Sequence, residues 1–323
     1  MNISACIITD GKDLKALQEC IDSVYNNCIE ILIGANNNSF LKVKELFKSN
    51  QKVRVIEQVW KKDFSKARNE VIVLAAGAWI LIIDTDERLN TKINSLDPKY
   101  DFYFASQMNN KRKYWNARVF KNGKGYFYKN KMHESLEHHI TLKNSTKSNI
   151  ELLHSGYELS TEDMMKKLDR NYELMLTDKG NPVRNYHLGN YEMLMNKDYK
   201  KAMKYYYKAM KDKVNNEHKA SILNCLFTCQ TLLNYDTRVR MKTVSESIKV
   251  LPEQIHARIN IIEYLLTTIT DGNKAVVIPV IKKQLSRVET IDRDNTTRLY
   301  SDIQLNTNYF KNKKEELKKW QYQ

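Results

Sequence analysis

Along residues 1–90, short apolar runs alternate with stretches in which apolar positions recur every three or four residues. Residues 3–8, 29–33, 53–57 and 79–83 have the compact, β-branched character of buried strands. Between them, Leu14, Leu17, Ile21 and Val24 share one helical face of residues 13–24. Phe40, Val43 and Phe47 share a face of 40–47, and residues 66–76 supply a third helix. Strand–helix alternation in this order predicts a parallel sheet with helices on both faces. Residues 100–157 are aromatic and basic, with strand-like runs at 100–106, 117–120 and 125–128. From about Leu159 onward helical periodicity takes over. Residues 181–213 carry Tyr186, Leu188, Gly189, Tyr191, Ala202, Tyr206 and Ala209 in a paired-helix pattern, and 215–252 and 254–287 repeat its length with fewer matches. A period of about 34 residues with small residues where helices cross is the tetratricopeptide pattern. A generic helical bundle is the alternative. The expected organisation is an α/β domain over residues 1–157, then a helical linker and tetratricopeptide-like repeat domain over 158–323.

Composition narrows the class. With 9 Gly and 4 Pro in 323 residues, a loop-rich sandwich or a disordered linker protein is excluded. The five cysteines (Cys6, Cys20, Cys28, Cys225 and Cys229) form no CxxC pair, and their odd number argues against a disulfide framework and for a reducing, cytoplasmic setting. The chain opens on a strand pattern rather than a basic leader, and its longest apolar run, residues 71–83, is 13 residues, too short to span a bilayer. Lys and Arg number 53 against 38 Asp and Glu, a net +15. Residues 1–150 hold 24 basic and 16 acidic side chains and the remainder 29 and 22, so the excess is +8 and +7 and no tail accounts for it. Such a charge draws polyanions, or simply solubilises lysine-rich helices.

The most informative stretch runs from Trp60 through Asp63-Phe64-Ser65 and Arg68-Asn69 to Gly77-Ala78-Trp79, ending in Asp84-Thr85-Asp86-Glu87. An apolar strand stops abruptly at three carboxylates, and ligands of open parallel sheets bind at the carboxyl ends of strands. Asp84 and Asp86, two residues apart at a turn, can face one hard cation. Mg²⁺ or Mn²⁺ holding a diphosphate suits such a site, acting as a Lewis acid on the leaving group. A solvated acidic turn is the plainer alternative.

With these residues in view, the sequence resembles the family 2 glycosyltransferases, and within them the bacterial subgroup that joins a nucleotide-sugar domain to tetratricopeptide repeats. The resemblance is carried by Asp63-Phe64-Ser65…Ala67-Arg68-Asn69, by Gly77-Ala78-Trp79…Asp84-Thr85-Asp86-Glu87, by Met132-His133-Glu134, by Leu153-His154-Ser155-Gly156-Tyr157, and by Arg170-Asn171 and Leu188-Gly189 in the same order. It implies a nucleotide-diphospho-sugar transferase-like, mostly parallel sheet and an inverting transfer from a nucleotide sugar, a UDP-sugar foremost, with a divalent metal. Carried over residue by residue, Asp84 would lie near the ribose, Asp86 would bind metal, Arg68 and Asn69 would help hold the nucleotide, and Thr9-Asp10-Gly11 would border the base. After the second strand the family has an acidic base contact. Here the run is Gly34-Ala35-Asn36-Asn37-Asn38-Ser39, and Asn36 would meet the base without charge.

His133 is a candidate metal or diphosphate ligand and Glu134 a candidate general base, because an imidazole can complete a site begun by an Asp and a nearby carboxylate can take the acceptor proton. A capping or salt-bridging pair is the alternative, and Glu87 is a rival base. His154 reads as a structural histidine beneath the domain junction. Lys111, Arg112, Lys113, Arg118, Lys121, Lys124, Lys129 and Lys131 occur without an intervening acid and with Tyr114, Trp115, Phe120, Tyr126, Phe127 and Tyr128 among them. Such a ribbon could bind a polyanionic acceptor (a cell-envelope glycan, a teichoic-type polymer or a modified nucleic acid) or could pack its aromatics inward and leave its lysines in water. A peptide or protein acceptor is the main rival, since a concave repeat surface can hold a peptide. A non-catalytic scaffold with a degenerate nucleotide-sugar domain, and more remotely a nucleotidyltransferase, complete the alternatives.

Overall fold

The computed structural model describes residues 2–109, 112–154 and 161–290, together with residues 312, 313, 315 and 317. It divides into two compact units, Met1–Asn181 and Pro182–Gln323. In the first, β1 (Ile3–Thr9), α1 (Leu14–Val24), β2 (Glu30–Asn36), α2 (Asn37–Leu46), β3 (Val53–Gln58), α3 (Phe64–Ile72) and β4 (Trp79–Ile82) follow the expected alternation. Four further strands, β5 (Glu87–Leu89), β6 (Phe102–Asn109), β7 (Arg112–Lys121) and β8 (Ser145–His154), complete one eight-stranded sheet of order β3-β2-β1-β4-β7-β6-β8-β5.

Both faces of the central strands are covered, which explains why they read as unbroken apolar runs. Ile3, Ala5 and Ile7 of β1, Ile31 and Ile33 of β2 and Leu81 of β4 pack with Leu17, Ile21 and Val24 of α1 and Val43 of α2. The alternate residues Cys6, Leu32, Ile80 and Ile82 point the other way, onto Val71 and Ile72 of α3 and onto Tyr128 and Leu136. Asp13 and Asp63 cap α1 and α3 by accepting from Ala16 N–H (2.8 Å) and Lys66 N–H (2.9 Å). Gly77 is required where the chain enters β4: a Cβ there would lie 2.7 Å from the backbone nitrogen of Ser4.

The expectation of a mostly parallel sheet holds for β3-β2-β1-β4 and changes beyond it. β4 pairs antiparallel with β7, and β6 with β7, so the sheet is mixed. Residues 125–128 are not a strand: Gly123 and Gly125 take positive φ, and the chain leaves the sheet until the isolated bridge between Lys129 and Ser135. β8 was hidden by its polar composition, since only Ile150 and Leu152 of it are buried. α4 (Thr161–Thr177) falls within the first unit. Residues Lys111, Gly156, Tyr157 and Leu159 of the sequence argument lie outside the described residues.

The second unit is helical: α5 (Arg184–Leu194), α6 (Tyr199–Ala209), α7 (Asn216–Leu232), α8 (Thr237–Val250), α9 (His256–Thr268) and α10 (Lys274–Thr290). Consecutive helices pair as α5 with α6, α7 with α8 and α9 with α10. The first helices of these pairs begin at Arg184, Asn216 and His256, so the spacing is not constant. Among the described residues no helix is long and apolar enough to cross a membrane.

Tyr206 is fully buried in the α5–α6 crossing, where a Cβ on Gly189 would approach its ring to 2.6 Å. Gly189→Ala should therefore destabilise. The helix-propensity gain of about 1 kcal/mol is outweighed by overpacking that costs about 1–3 kcal/mol. Urea unfolding followed by far-UV circular dichroism would show the midpoint falling, and a rise would mean the crossing is looser than described.

Candidate active site

The first two turns of α3 hold one loop. Phe64 N–H donates to the Lys131 carbonyl (2.9 Å) and Ser65 Oγ to the Asn130 carbonyl (2.5 Å). One turn on, Arg68 Nε donates to Glu134 Oε1 (2.7 Å). Asn69 takes both backbone groups of Tyr128, donating to its carbonyl (3.0 Å) and accepting from its N–H (2.8 Å). The Phe-Ser…Arg-Asn spacing is thus a template for residues 128–134, because positions three and four apart share a helix surface. The loop needs such fixing. Asn130 and His133 sit at positive φ, 78° and 51°, a conformation that costs non-glycine residues free energy.

β4 ends below this loop, and the chain turns at once. Glu87 N–H donates to the Asp84 carbonyl (2.9 Å), and Asp84 N–H donates to Glu87 Oε2 (2.9 Å). Arg68 Nη2 donates to Asp84 Oδ1 (2.7 Å), and Arg118 Nη2, from β7, donates to Asp84 Oδ2 (3.1 Å) and Glu87 Oε1 (2.6 Å). Gln107 Nε2 also donates to Glu87 Oε1, and Gln107 is in turn held by Asn116. Two guanidiniums therefore clasp three carboxylates: Asp84, Glu87 and Glu134. Burial works to raise the Asp84 pKa, yet Arg68 and Arg118 hold it well below the usual carboxylate range. For Glu87 burial dominates and pushes the carboxyl up to about 7, against the pull of Arg118 and with the repulsion of Asp84. Tyr128 lies over the Arg68 guanidinium at 5.7 Å, and burial raises its hydroxyl to about 12. Among the described residues the buried Nη1 of Arg68 and Nε of Arg118 have no hydrogen-bond partner.

The residues singled out in the sequence fare differently. Asp84, Arg68 and Glu134 come together as one cluster. Asn69 is occupied with the backbone of Tyr128. Asn36 caps α2, its side chain accepting from Asn38 N–H (3.3 Å). Thr9 Oγ1 accepts from Gly11 N–H (3.0 Å), and Asp10 pairs with Lys12 (2.9 Å) at the carboxyl end of β1. Glu87, the rival base, is 0% exposed with both oxygens engaged, and it locks the turn.

Asp86 remains about one-third exposed (34%), and His154 Nε2 stands 3.6 Å from its Oδ2. His154, read from the sequence as a structural histidine, thus lies beside Asp86. The cause is the antiparallel pairing of β5 and β8, which sets Glu87 opposite His154. No local pattern marks this pairing. Arg118 was likewise missed as a site residue, because sequence alone groups it with the basic ribbon. That ribbon is not one surface: Arg118 turns inward, Lys121 pairs with Asp101 (2.7 Å), and Phe120 and Tyr128 are buried. Lys124 and Lys129 are exposed. Among the described residues no three His, Cys, Asp or Glu side chains gather as a metal site.

The sequence model of glycosyl transferase family 2 matches residues 4–134, the stretch that builds β1 through the Arg68–Glu134 pair. Among characterised proteins, the SPbeta prophage-derived glycosyltransferase SunS of Bacillus subtilis (strain 168) is similar, with 24% identity over 330 residues, covering 95% of this chain and 74% of SunS. A TPR repeat-containing protein of Synechococcus elongatus is 29% identical over 90 residues, 27% of this chain and 21% of that protein. Residues 1–349 of S. aureus TarS overlay with a TM-score of 0.39 at 11% identity, covering 90% of each chain, whereas the chain spans 55% of the longer TarS structure. Residues 4–134 are thus the part of the chain that is similar to glycosyl transferase family 2.

Because Arg118 is the buried counter-charge of Glu87, Arg118→Met should cost about 3–5 kcal/mol by leaving that carboxylate uncompensated. Asp86→Asn, at a part-exposed position, should change stability by no more than about 0.5 kcal/mol. Guanidinium unfolding of both variants checks this, and equal effects would contradict the division between clasp and open carboxylate.

Proposed function

We propose that the first unit is an inverting, metal-dependent glycosyltransferase that moves a sugar from a nucleotide-sugar donor, a UDP-sugar foremost, to an acceptor hydroxyl or thiol. The observation that carries the proposal is the Arg68 cluster. One guanidinium joins the carboxylate at the end of β4 to the carboxylate of the 128–134 loop, at the sheet edge where α/β folds bind ligands. The family 2 match over residues 4–134 supports the same reading.

The residues suggest their parts. Each oxygen of Asp84 has an acceptor position beyond its arginine bond, enough for a ribose hydroxyl. Asp86 with His154, an oxygen and an imidazole, fits a divalent cation that completes its shell with phosphate oxygens and water, and His133 is retained as a candidate third ligand. Such an ion supplies Lewis-acid neutralisation of the leaving diphosphate. Glu134, held by Arg68 through Oε1, would use its other oxygen to take the acceptor proton as the acceptor attacks the anomeric carbon and the bond to the diphosphate breaks. Thr9, Asp10 and Asn36 border the base in this reading.

The catalytic part of the proposal is tested with a panel of UDP-, GDP- and CDP-sugars and Mn²⁺, following donor hydrolysis and transfer. Asp86→Asn should abolish turnover with the fold intact, and Glu134→Gln should lower kcat by about 10²–10⁴-fold. Full activity in either variant would remove that residue from the chemistry. A scaffold without chemistry would bind no nucleotide in a metal-dependent way.

The acceptor is proposed to be polyanionic, with a peptide or protein as its rival, on the strength of the net +15 and of exposed Lys124 and Lys129 near the 128–134 loop. Acceptor affinity should then fall steeply between low and physiological salt while donor affinity changes little. Lys124→Gln with Lys129→Gln should reproduce part of that loss. A flat salt response would favour the uncharged peptide.

A further inference from the structure

The 4–134 match leaves out α4, yet α4 reaches the same sheet edge. Arg170, on α4, stacks its guanidinium 5.5 Å from the ring centroid of Phe64, and Phe64 in turn meets Trp60 edge to face at 4.8 Å. Phe64 and Arg68 are four residues apart on α3 and share a surface of it. The Arg170 head therefore packs on the ring one helical turn before Arg68, the residue that holds Asp84. It is also within electrostatic reach of Asp10, which follows β1, the strand directly beside β4. Arg170 stands beside the open end of the site.

Charge decides what it can do there. Arg68 and Arg118 are both committed to carboxylates, and the clasp they form holds three acids against two bases. Asp86 adds a further negative charge at the mouth. A diphosphate entering this edge meets these carboxylates and finds both clasp guanidiniums already engaged, so a further cationic side chain would favour its binding beside the proposed metal. Asp10, the acid within electrostatic reach of Arg170, already pairs with Lys12 at 2.9 Å. Among the described residues Arg170 makes no ion pair, and its recorded hydrogen bonds go to the neutral amide oxygen of Asn171, from Nε (3.3 Å) and Nη2 (3.0 Å). Partial desolvation lowers its pKa from the ordinary arginine value and Asp10 opposes the change, but a guanidinium stays charged at neutral pH. A guanidinium stacked on an aromatic ring presents its donors in the ring-parallel plane; with the Nε side on Asn171, the Nη1–Nη2 side is the one that matches two phosphate oxygens.

We infer that Arg170 is a phosphate-binding residue, supplied by α4 from outside the matched stretch, which grips the diphosphate of the nucleotide donor. Phe64 is the platform that orients it. The inference rests on the glycosyltransferase reading, because that reading brings a nucleoside diphosphate to this edge.

The test is calorimetric titration of the full chain with nucleoside, nucleoside monophosphate and nucleoside diphosphate of uracil, guanine and cytosine, each with and without Mn²⁺. If the wild-type chain binds a diphosphate, Arg170→Gln should weaken that binding by about 10–100-fold, the loss of one or two charge-assisted hydrogen bonds, and leave affinity for the matching nucleoside unchanged. Arg170→Lys, which keeps the charge and loses the fork, should fall between. Should Arg170→Gln fail to fold, as judged by circular dichroism, the lysine variant decides by the same comparison. Wild-type diphosphate affinity in the variants, or an equal loss for nucleoside and diphosphate, overturns the phosphate role while leaving the glycosyltransferase reading in place. A wild-type chain that binds none of the panel overturns both.

Discussion

The site depends on one buried guanidinium. Arg68 spends one nitrogen on Asp84 and another on Glu134, and so connects the strand end to a loop residue 66 positions along the chain from Arg68 itself. Without it, two carboxylates would face each other in a nearly dry environment with only Arg118 to offset them. Its planar fork suits the task, since a lysine cannot address two carboxylates in fixed directions. Tyr128, packed over its face, and Asn69, which holds the Tyr128 backbone, keep the loop from drifting. The left-handed residues Asn130 and His133 are tolerated because this scaffold over-determines the loop.

The mixed sheet follows from what the site requires. Its parallel half gives an edge at which β1, β2 and β4 all end, as crossover helices demand. The antiparallel half delivers Arg118 and Gln107 beneath the turn and, through β8, places His154 beside Asp86. Both halves are joined by β4 and β7, where Leu81 lies opposite Val119. Burial on both faces leaves the central strands no polar position until their ends, so charge accumulates where the strands stop.

The helical unit obeys a different rule. Its helices pack first within each hairpin and then against the next hairpin along the chain. Two devices sharpen it: Gly189 admits the Tyr206 ring, and a buried set of Asn224, Ser247 and Gln254 bonds α7, α8 and the approach to α9 to one another. Every member of that set has a partner, which is what makes buried polar groups specify an arrangement rather than weaken it.

The sequence by itself determined the features that rest on local period and end chemistry. These are the strand–helix alternation through Ile82, the abrupt change from Ile83 to Asp84, and the small residue at position 189. Each can be read within about one turn or one strand, because side-chain direction repeats every 3.6 or 2 residues. Only the tertiary structure decided where those side chains end. It turned Arg118 inward out of a basic run, buried Glu87, gave Asn69 to the Tyr128 backbone and drew His154 to Asp86. These outcomes depend on which strands pair and in which register, and a polar strand such as β8 carries too few buried residues for its pairing to be legible beforehand.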